Sequence, residues 1–315
     1  MTISTDMLSH SSHSRIDLET MSRVWNPMYN NQLTKFSNVT HFVYEDGSNA
    51  VPVTLASEGF LTDFEETTSG FMDHREYYSD FVGWDHGIID TTFLPPNSLI
   101  PGCASGEYCW GTGLMDDDYT TAPVGNNGRT YRLTTASIYV DSGLKDRMAF
   151  FDSWHDLDVQ TGTGSANPPV YFRDCAFVEI RSSFADDFVN TDPTGFDHID
   201  LDISNSSGVG FGNGYYSRSS GTSSAGQIDS RCGGIGTGDY ALAGQSTSNG
   251  NPGGWANLAV DLDPYVGQYV QLRFVLEDNN VNNADGGKAG WYIDNFRVGD
   301  LLPQSSSMQI RGFLP

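Results

Sequence analysis

At 315 residues the chain can hold one large β-sandwich or two ordinary domains. Its 40 Asp and Glu against 16 Lys and Arg leave a formal charge of -24, which excludes the basic footprint a nucleic-acid partner needs and disfavours adsorption to anionic lipid. No apolar run is long enough to span a bilayer, so a membrane span is excluded as well.

In chain order, residues 1–56 are of mixed polarity with one strand signal around Val39 to Tyr44, and are expected to form an extension or linker. A compact domain is expected over 57–300. It opens on SEGFLTDFE, where Asp63 and Glu65, two apart on a strand, point to one face. Residues 131–140 are β-rich, and 148–154 are almost wholly apolar, as a central strand buried on both faces requires. Ala176, Val178 and Ile180 alternate with Phe177 and Glu179. Ile199, Leu201 and Ile203 alternate with Asp200 and Asp202, which predicts a strand with one wet face.

Residues 162–169 and 208–238 are Gly- and Ser-rich and read as long loops. Three strands then follow in succession. Leu258, Val260 and Leu262 mark the first, and Val270, Leu272, Phe274 and Leu276 mark a half-buried second. GWYIDNFRV at 290–298 is the third. The Pro- and Ser-containing end, 301–315, reads as a tail or linker. No segment has a sustained 3.6-residue apolar period with caps. The expected fold is therefore all-β, with two packed antiparallel sheets and long loops.

Four cysteines lack the paired C-x-x-C spacing of a zinc site. Cys103 and Cys109 flank a small loop, while Cys175 and Cys232 lie far apart. The expected pairing is Cys103 with Cys109 and Cys175 with Cys232, one of three connectivities that four cysteines allow; buried free thiols are the alternative. Disulfides would suit an extracellular or cell-surface location. Asn38 and Asn205 head glycosylation sequons. The first residues, MTISTDMLSHSSHS, carry no apolar signal region, so a fragment, a mature segment or another export route is expected.

The order of four blocks resembles MAM-like jelly rolls, modules attached to secreted metallopeptidases, bacterial adhesins and archaeal surface proteins. TDFEE at 62–66 is similar to their first strand, and CWGTGLMDDDY at 109–119 to their WGT loop, with Asp where glycine is usual and a residue inserted. MAFFDSWHDLD with DCAFVEI at 174–180 is similar to the central strand pair, with Cys175 in place of a glycine. GWYIDNF is similar to a final GWYIDD-type strand. The resemblance implies a jelly roll and a structural calcium ion near the first and last strands.

The residues themselves agree with that chemistry. Asp294, if its strand is regular, shares a face with Tyr292, Phe296 and Val298, which is costly unless the carboxylate is hydrogen-bonded or holds a cation. Asp63, Glu65 and Asp294 could supply oxygens to calcium, with Asp174, matched to the family's DGA motif, as a weaker fourth. The alternative is that Asp294 accepts backbone N–H bonds at a turn or bulge. Asp116 to Asp118 and the loop from Asp278 to Asp285 lack EF-hand spacing and read as solvated acidic loops.

Catalytic signatures are incomplete. The Asp141-Ser-Gly and GTSSA segments lack a subtilase histidine motif, and His155 and His198 lack H-E-x-x-H spacing. Tyr215 and Tyr216 could stack on a sugar, but exposed loop tyrosines are ordinary. The expected function is a non-enzymatic, calcium-stabilised binding or adhesion module for a glycan or protein at the cell surface, able to self-associate. The alternatives are an accessory domain of a larger secreted hydrolase, metallopeptidase-like, and a glycoside-active enzyme on the same sandwich.

Overall fold

In this computed structural model the described residues are 58–65, 68–73, 83–90, 92, 100, 102–112, 114, 129–144, 146–157, 159–161, 170–188, 194–211, 213–221, 226–248, 251–252, 254–278 and 288–299, with the strand segments 14–17, 36–37 and 41–44. Expectations placed on Asn38, 116–118, 162–169, 279–285 and 301–315 fall outside them.

Two antiparallel sheets pack face to face, as the alternation of apolar residues predicts. Numbered in chain order, the first sheet runs β2 (Phe36–Ser37), β4 (Glu58–Thr62), β22 (Gly290–Val298), β10 (Met148–Asp156) and β20 (Ala256–Asp261). To it are added β6 (Asp85–Gly87) and β7 (Cys109–Gly111), the latter also paired with β22. The second sheet runs β15 (Gly210–Phe211), β16 (Gly214–Ser217), β17 (Tyr240–Leu242), β13 (Cys175–Ser183), β21 (Tyr269–Asp278), β8 (Arg129–Thr134) and β5 (Met72–Asp73). There β14 (Asp197–Ile199) joins β13 and β9 (Ile138–Tyr139) joins β21. Three ribbons complete the description: β1 (Ser14–Asp17) with β3 (His41–Tyr44), β11 (Val159–Thr161) with β12 (Val170–Phe172), and β18 (Thr247–Ser248) with β19 (Asn251–Pro252). The extension before residue 57 thus contributes β2 to the edge of the first sheet, opposite Gly59 and Glu58.

The central strand β10 lies between β20 and β22, so both its edges are paired, and its side chains are buried on both faces apart from the half-buried Asp152. Ala149 and Phe151 face inward with Trp291, Ile293, Phe296 and Val298, and meet Val178, Ile180, Leu272, Phe274 and Leu276 of the second sheet in one core. Phe274 sits at its centre. Its ring centroid lies 5.0 Å from Phe151, 5.8 Å from Trp291, 6.2 Å from Phe296 and 6.3 Å from Phe71.

Strand β21 departs from its expected wet face: Gln271 and Arg273 are buried, and so is Val275. The reason is a cover supplied by loops. The Arg181 guanidinium lies 4.8 Å from the centre of the Phe188 ring and 4.6 Å from that of Phe196, and the Arg273 guanidinium lies 4.0 Å from the centre of the same Phe196 ring. Arg273 also pairs with Glu179, and Arg181 bonds Gln271. Further along, Phe177 and Val275 pack against Ile228, Cys232 and Ile235 of the Gly-rich segment, which the Cys175–Cys232 disulfide fastens to β13. A Cβ at Gly234 would fall 2.3 Å from the Phe177 ring, so only glycine lets this backbone lie flat on the sheet.

The strand expected through Ile203 stops at Ile199. Asp202 ends the extended run by accepting the Ser204 and Asn205 amides in an Asx turn. That turn closes the outer edge of β20: Asp202 N–H donates to Ala259 O, Ser207 N–H to Asn257 O, and Ala259 N–H to Ser206 Oγ. Asn205 is exposed on it, with its amide turned to Asp202.

His155, also inward-facing on β10, is fully buried. Burial pushes its imidazole down to about 3; the Ala243 carbonyl favours the charged ring, but neither ring nitrogen reaches good hydrogen-bond geometry. A base with a depressed folded pKa contributes stability above its unfolded value of 6.5 that is lost as pH falls toward 3. Thermal melts of the native chain should therefore drop through that window, and His155→Phe should flatten the drop. An equally steep decline in the variant would assign the acid lability elsewhere.

Candidate functional site at the bulge of the last strand

Along the edge of β22 away from β10, two strands lie end to end. β7 pairs with Tyr292 and Ile293, and β4 pairs with Phe296, Arg297 and Val298. Between them stand Asp294 and Asn295. The register against β10 slips between Phe150 and Asp152, and Asn295 takes the left-handed conformation at φ 49°, which Asn tolerates better than most residues. The slip changes which side chains share a face. Phe296 and Val298 point into the core, whereas Tyr292 joins the outward cluster with Trp154 and Cys109. The strand is therefore not regular, and Asp294 does not share a face with Phe296 and Val298 as expected.

Asp294 is buried beneath the 102–108 loop, which the Cys103–Cys109 disulfide closes. Ser105 N–H donates to Asp294 Oδ2 at 2.9 Å, and Asn295 N–H to Oδ1 at 2.7 Å. The Ser105 hydroxyl donates to Asn295 Oδ1 at 2.8 Å, and Asn295 Nδ2 donates to Asp152 Oδ2 at 2.8 Å. Asp152 is the direct cross-strand partner of Asp294, and its second oxygen accepts from Asn257 Nδ2 at 2.8 Å.

The far end of the loop rests on Glu65. Its carboxylate accepts the Glu107 and Tyr108 amides, each at 3.0 Å. Gly106 lies against the same group, where a Cβ would come 2.1 Å from the Glu65 carboxyl carbon. Glu65 reaches this place because β4 ends at Thr62 and Phe64 turns left-handed at φ 57°. That turn is held by Thr62 Oγ1, which accepts the Phe64 amide at 3.0 Å, and by His86 Nε2, 2.8 Å from the Phe64 carbonyl. The Phe64 ring packs edge-on to Phe71 at 4.9 Å.

Electrostatics single out Asp294. Burial pushes its carboxyl up to about 7; the Ser105 and Asn295 amides pull it back, and the charges of Asp152 and Glu65 push it further. Like carboxylates facing across a strand pair are unfavourable when both are ionised.

The structure brings Glu65 and Asp294 to opposite ends of one loop. Asp63 and Glu65 do not share a strand face, since the turn at Phe64 intervenes; Asp63 Oδ1 faces the Glu65 amide at 3.3 Å. Asp174 is elsewhere, buried just before β13 in the other sheet and close enough to Arg231 to stabilise its charge. Asp152, Asn295 and Ser105 were not foreseen. Among the described residues, the acidic, His and Cys side chains with three ligand atoms within 4.8 Å of one another are Cys175, Cys232 and Glu277, whose sulfurs are joined to each other. Glu277 accepts the Gly233 and Gly234 amides, so it anchors the second disulfide-tied segment as Glu65 anchors the first, and burial pushes its carboxyl up.

Fold and site together define an antiparallel β-sandwich with two disulfides and a loop held on carboxylates. Compared with models of protein families and with curated proteins, the sequence matches neither. Among the described residues no helix is long and apolar enough to cross a membrane.

Proposed function

We propose that this chain is a non-enzymatic binding or adhesion module, calcium-stabilised, working outside the cell or at its surface on a glycan or protein. The observation that supports this reading best is the 102–108 loop. Closed by a disulfide and seated on two carboxylates, it presents exposed Gly106 and Glu107 from a fixed backbone, and a preordered loop loses little entropy on binding. Two disulfides suit an oxidising location.

The donor types beneath the loop are those of a hard cation, although Asp63, Glu65, Asp152 and Asp294 do not bring three carboxylate oxygens within 4.8 Å of one another. Asp294, Asp152 and Glu65, with Asn295 Oδ1 and the Ser105 hydroxyl, are all oxygen donors of the kind calcium takes. Their mutual repulsion gives a cation something to offset. Bound calcium would supply positive charge there, while Asp294 and Glu65 hold the loop amides. Asp63 stands beside them at the end of β4 as a further oxygen donor.

Chelator is expected to lower the melting temperature, since a ligand bound to the native state stabilises it by mass action. Asp294→Asn should remove most of that dependence. An unchanged melt in excess chelator would dismiss calcium while leaving the binding reading to be tested on glycan arrays and surface proteins, where binding without turnover is expected.

A further inference from the structure

The outward face of the first sheet carries another buried carboxylate that the loop does not use. Asp156 closes β10, and Lys288 lies two residues ahead of β22. Because Asp156 is the cross-strand partner of Gly290, the two side chains start from neighbouring chain segments. Lys288 Nζ lies 2.7 Å from Asp156 Oδ1, with the Asp156 side chain 5% exposed and that of Lys288 28%. The setting is apolar: Trp154, Ala289 and Tyr292, neighbours of the pair in the chain or across the strands, belong to one buried cluster. The Ala289 N–H donates to the Asp156 carboxyl, and the Tyr292 phenol lies near enough to feel its charge.

This arrangement has the parts of an acyl transfer. Holding an amine against a carboxyl in a fixed, water-poor site replaces an encounter in solution with an intramolecular one, and such positioning can substitute for a large part of a barrier. Condensation requires a neutral amine beside a carboxylic acid, the pairing in which no charge is buried. Burial pushes the Asp156 carboxyl upward in the same sense, although Lys288 and the Ala289 amide oppose it. The Ala289 N–H is placed to stabilise negative charge on the carboxyl oxygen during attack.

We propose that Lys288 and Asp156 condense to an intramolecular amide, an isopeptide bond that ties the end of β10 to the approach to β22. The Nζ lone pair forms a C–N bond with Asp156 Cγ, and one C–O bond breaks. The hydroxyl leaves with a proton from the nitrogen as water. Nothing is oxidised or reduced, and no co-reactant is consumed. The crosslink is independent of the binding reading and of calcium.

Intact-mass spectrometry of the full chain, denatured and with its disulfides reduced, tests it directly. The expected mass is one water below that of the sequence. Proteolysis should give a branched peptide joining Asp156 to Lys288, with no tryptic cleavage after Lys288. Lys288→Arg and Asp156→Ala should each restore the full sequence mass. Native protein at full mass, with Lys288 cleaved by trypsin and open to amine labelling, would overturn the proposal. So would a water loss that maps to another pair of residues. The native protein decides the matter even if a variant does not fold.

Discussion

Phe274→Ala is expected to lower the unfolding free energy by about 3–5 kcal/mol, the range for removing a large aromatic side chain from a closed core. The magnitude should sit at the upper end because the ring is fully buried and meets four other rings, three from the opposite sheet and Phe71 from the turn ahead of β5. Phe151, Phe296 and Trp291 are fixed by ladder bonds on the opposite sheet, so they are poorly placed to collapse into the space left behind. Urea titrations followed by fluorescence and by circular dichroism would measure it, with an unchanged m-value showing that the denatured state is not responsible. A loss below about 1 kcal/mol would mean that the sheets close over the void, against the packing described.

Removing the Cys175–Cys232 disulfide is expected to have the next largest effect. The bridge spans 57 residues, for which the chain-entropy model gives about 4 kcal/mol. The Cys103–Cys109 bridge spans 6, for which the same model gives about 2 kcal/mol. The larger bridge also fastens Ile228 and Ile235 over Phe177 and Val275, so its loss should expose apolar surface as well as lengthen the free chain. Alanine pairs at each bridge, compared by denaturation under identical conditions, give the two values. Equal losses, or a larger loss at the small bridge, would contradict this ranking. Hydrogen exchange should further separate them: the larger deletion should deprotect 226–238, the smaller one 102–108.

Strands were legible wherever side-chain alternation recorded the inter-sheet core. β10, β13, β20, β21 and β22 lie where the apolar runs place them. The outer faces were not legible, because their cover comes from loops whose Gly and Ser content carries no periodic signal. Thus Gln271 and Arg273 alternate like solvent-facing residues and are buried by Phe188, Phe196 and their neighbours. Both disulfide pairings are the expected ones: Cys103 and Cys109 flank a short loop, which leaves Cys175 and Cys232 for each other.

At the candidate site, the nearness of first and last strands was foreseen, and so, as the alternative to a cation, were backbone amides on Asp294 at a bulge; the turn at Phe64 and the position of the bulge at Asn295 were not. Each is a one-residue change of backbone hand that alternation cannot register. One signal was present: Asn295 stands where the resembled strand has a second Asp, and Asn is the side chain suited to a left-handed position. Asp152 gave another, as a lone charge inside an apolar run. Neither Ser105 nor Gly106 bears any motif; their roles follow from the disulfide-closed loop alone.

Two of the covers on the outer faces are fastened by unlike chemistry. The 102–108 loop hangs on carboxylates, and the charge of Asp294 changes near neutrality. Phe188 and Phe196 are held by guanidinium groups stacked on their rings, and a guanidinium keeps its charge at every pH a protein survives. Protons can therefore act on one roof and leave the other in place. One cover is thus chemically addressable and the other is not, and a change of pH can alter what the first displays without loosening the second.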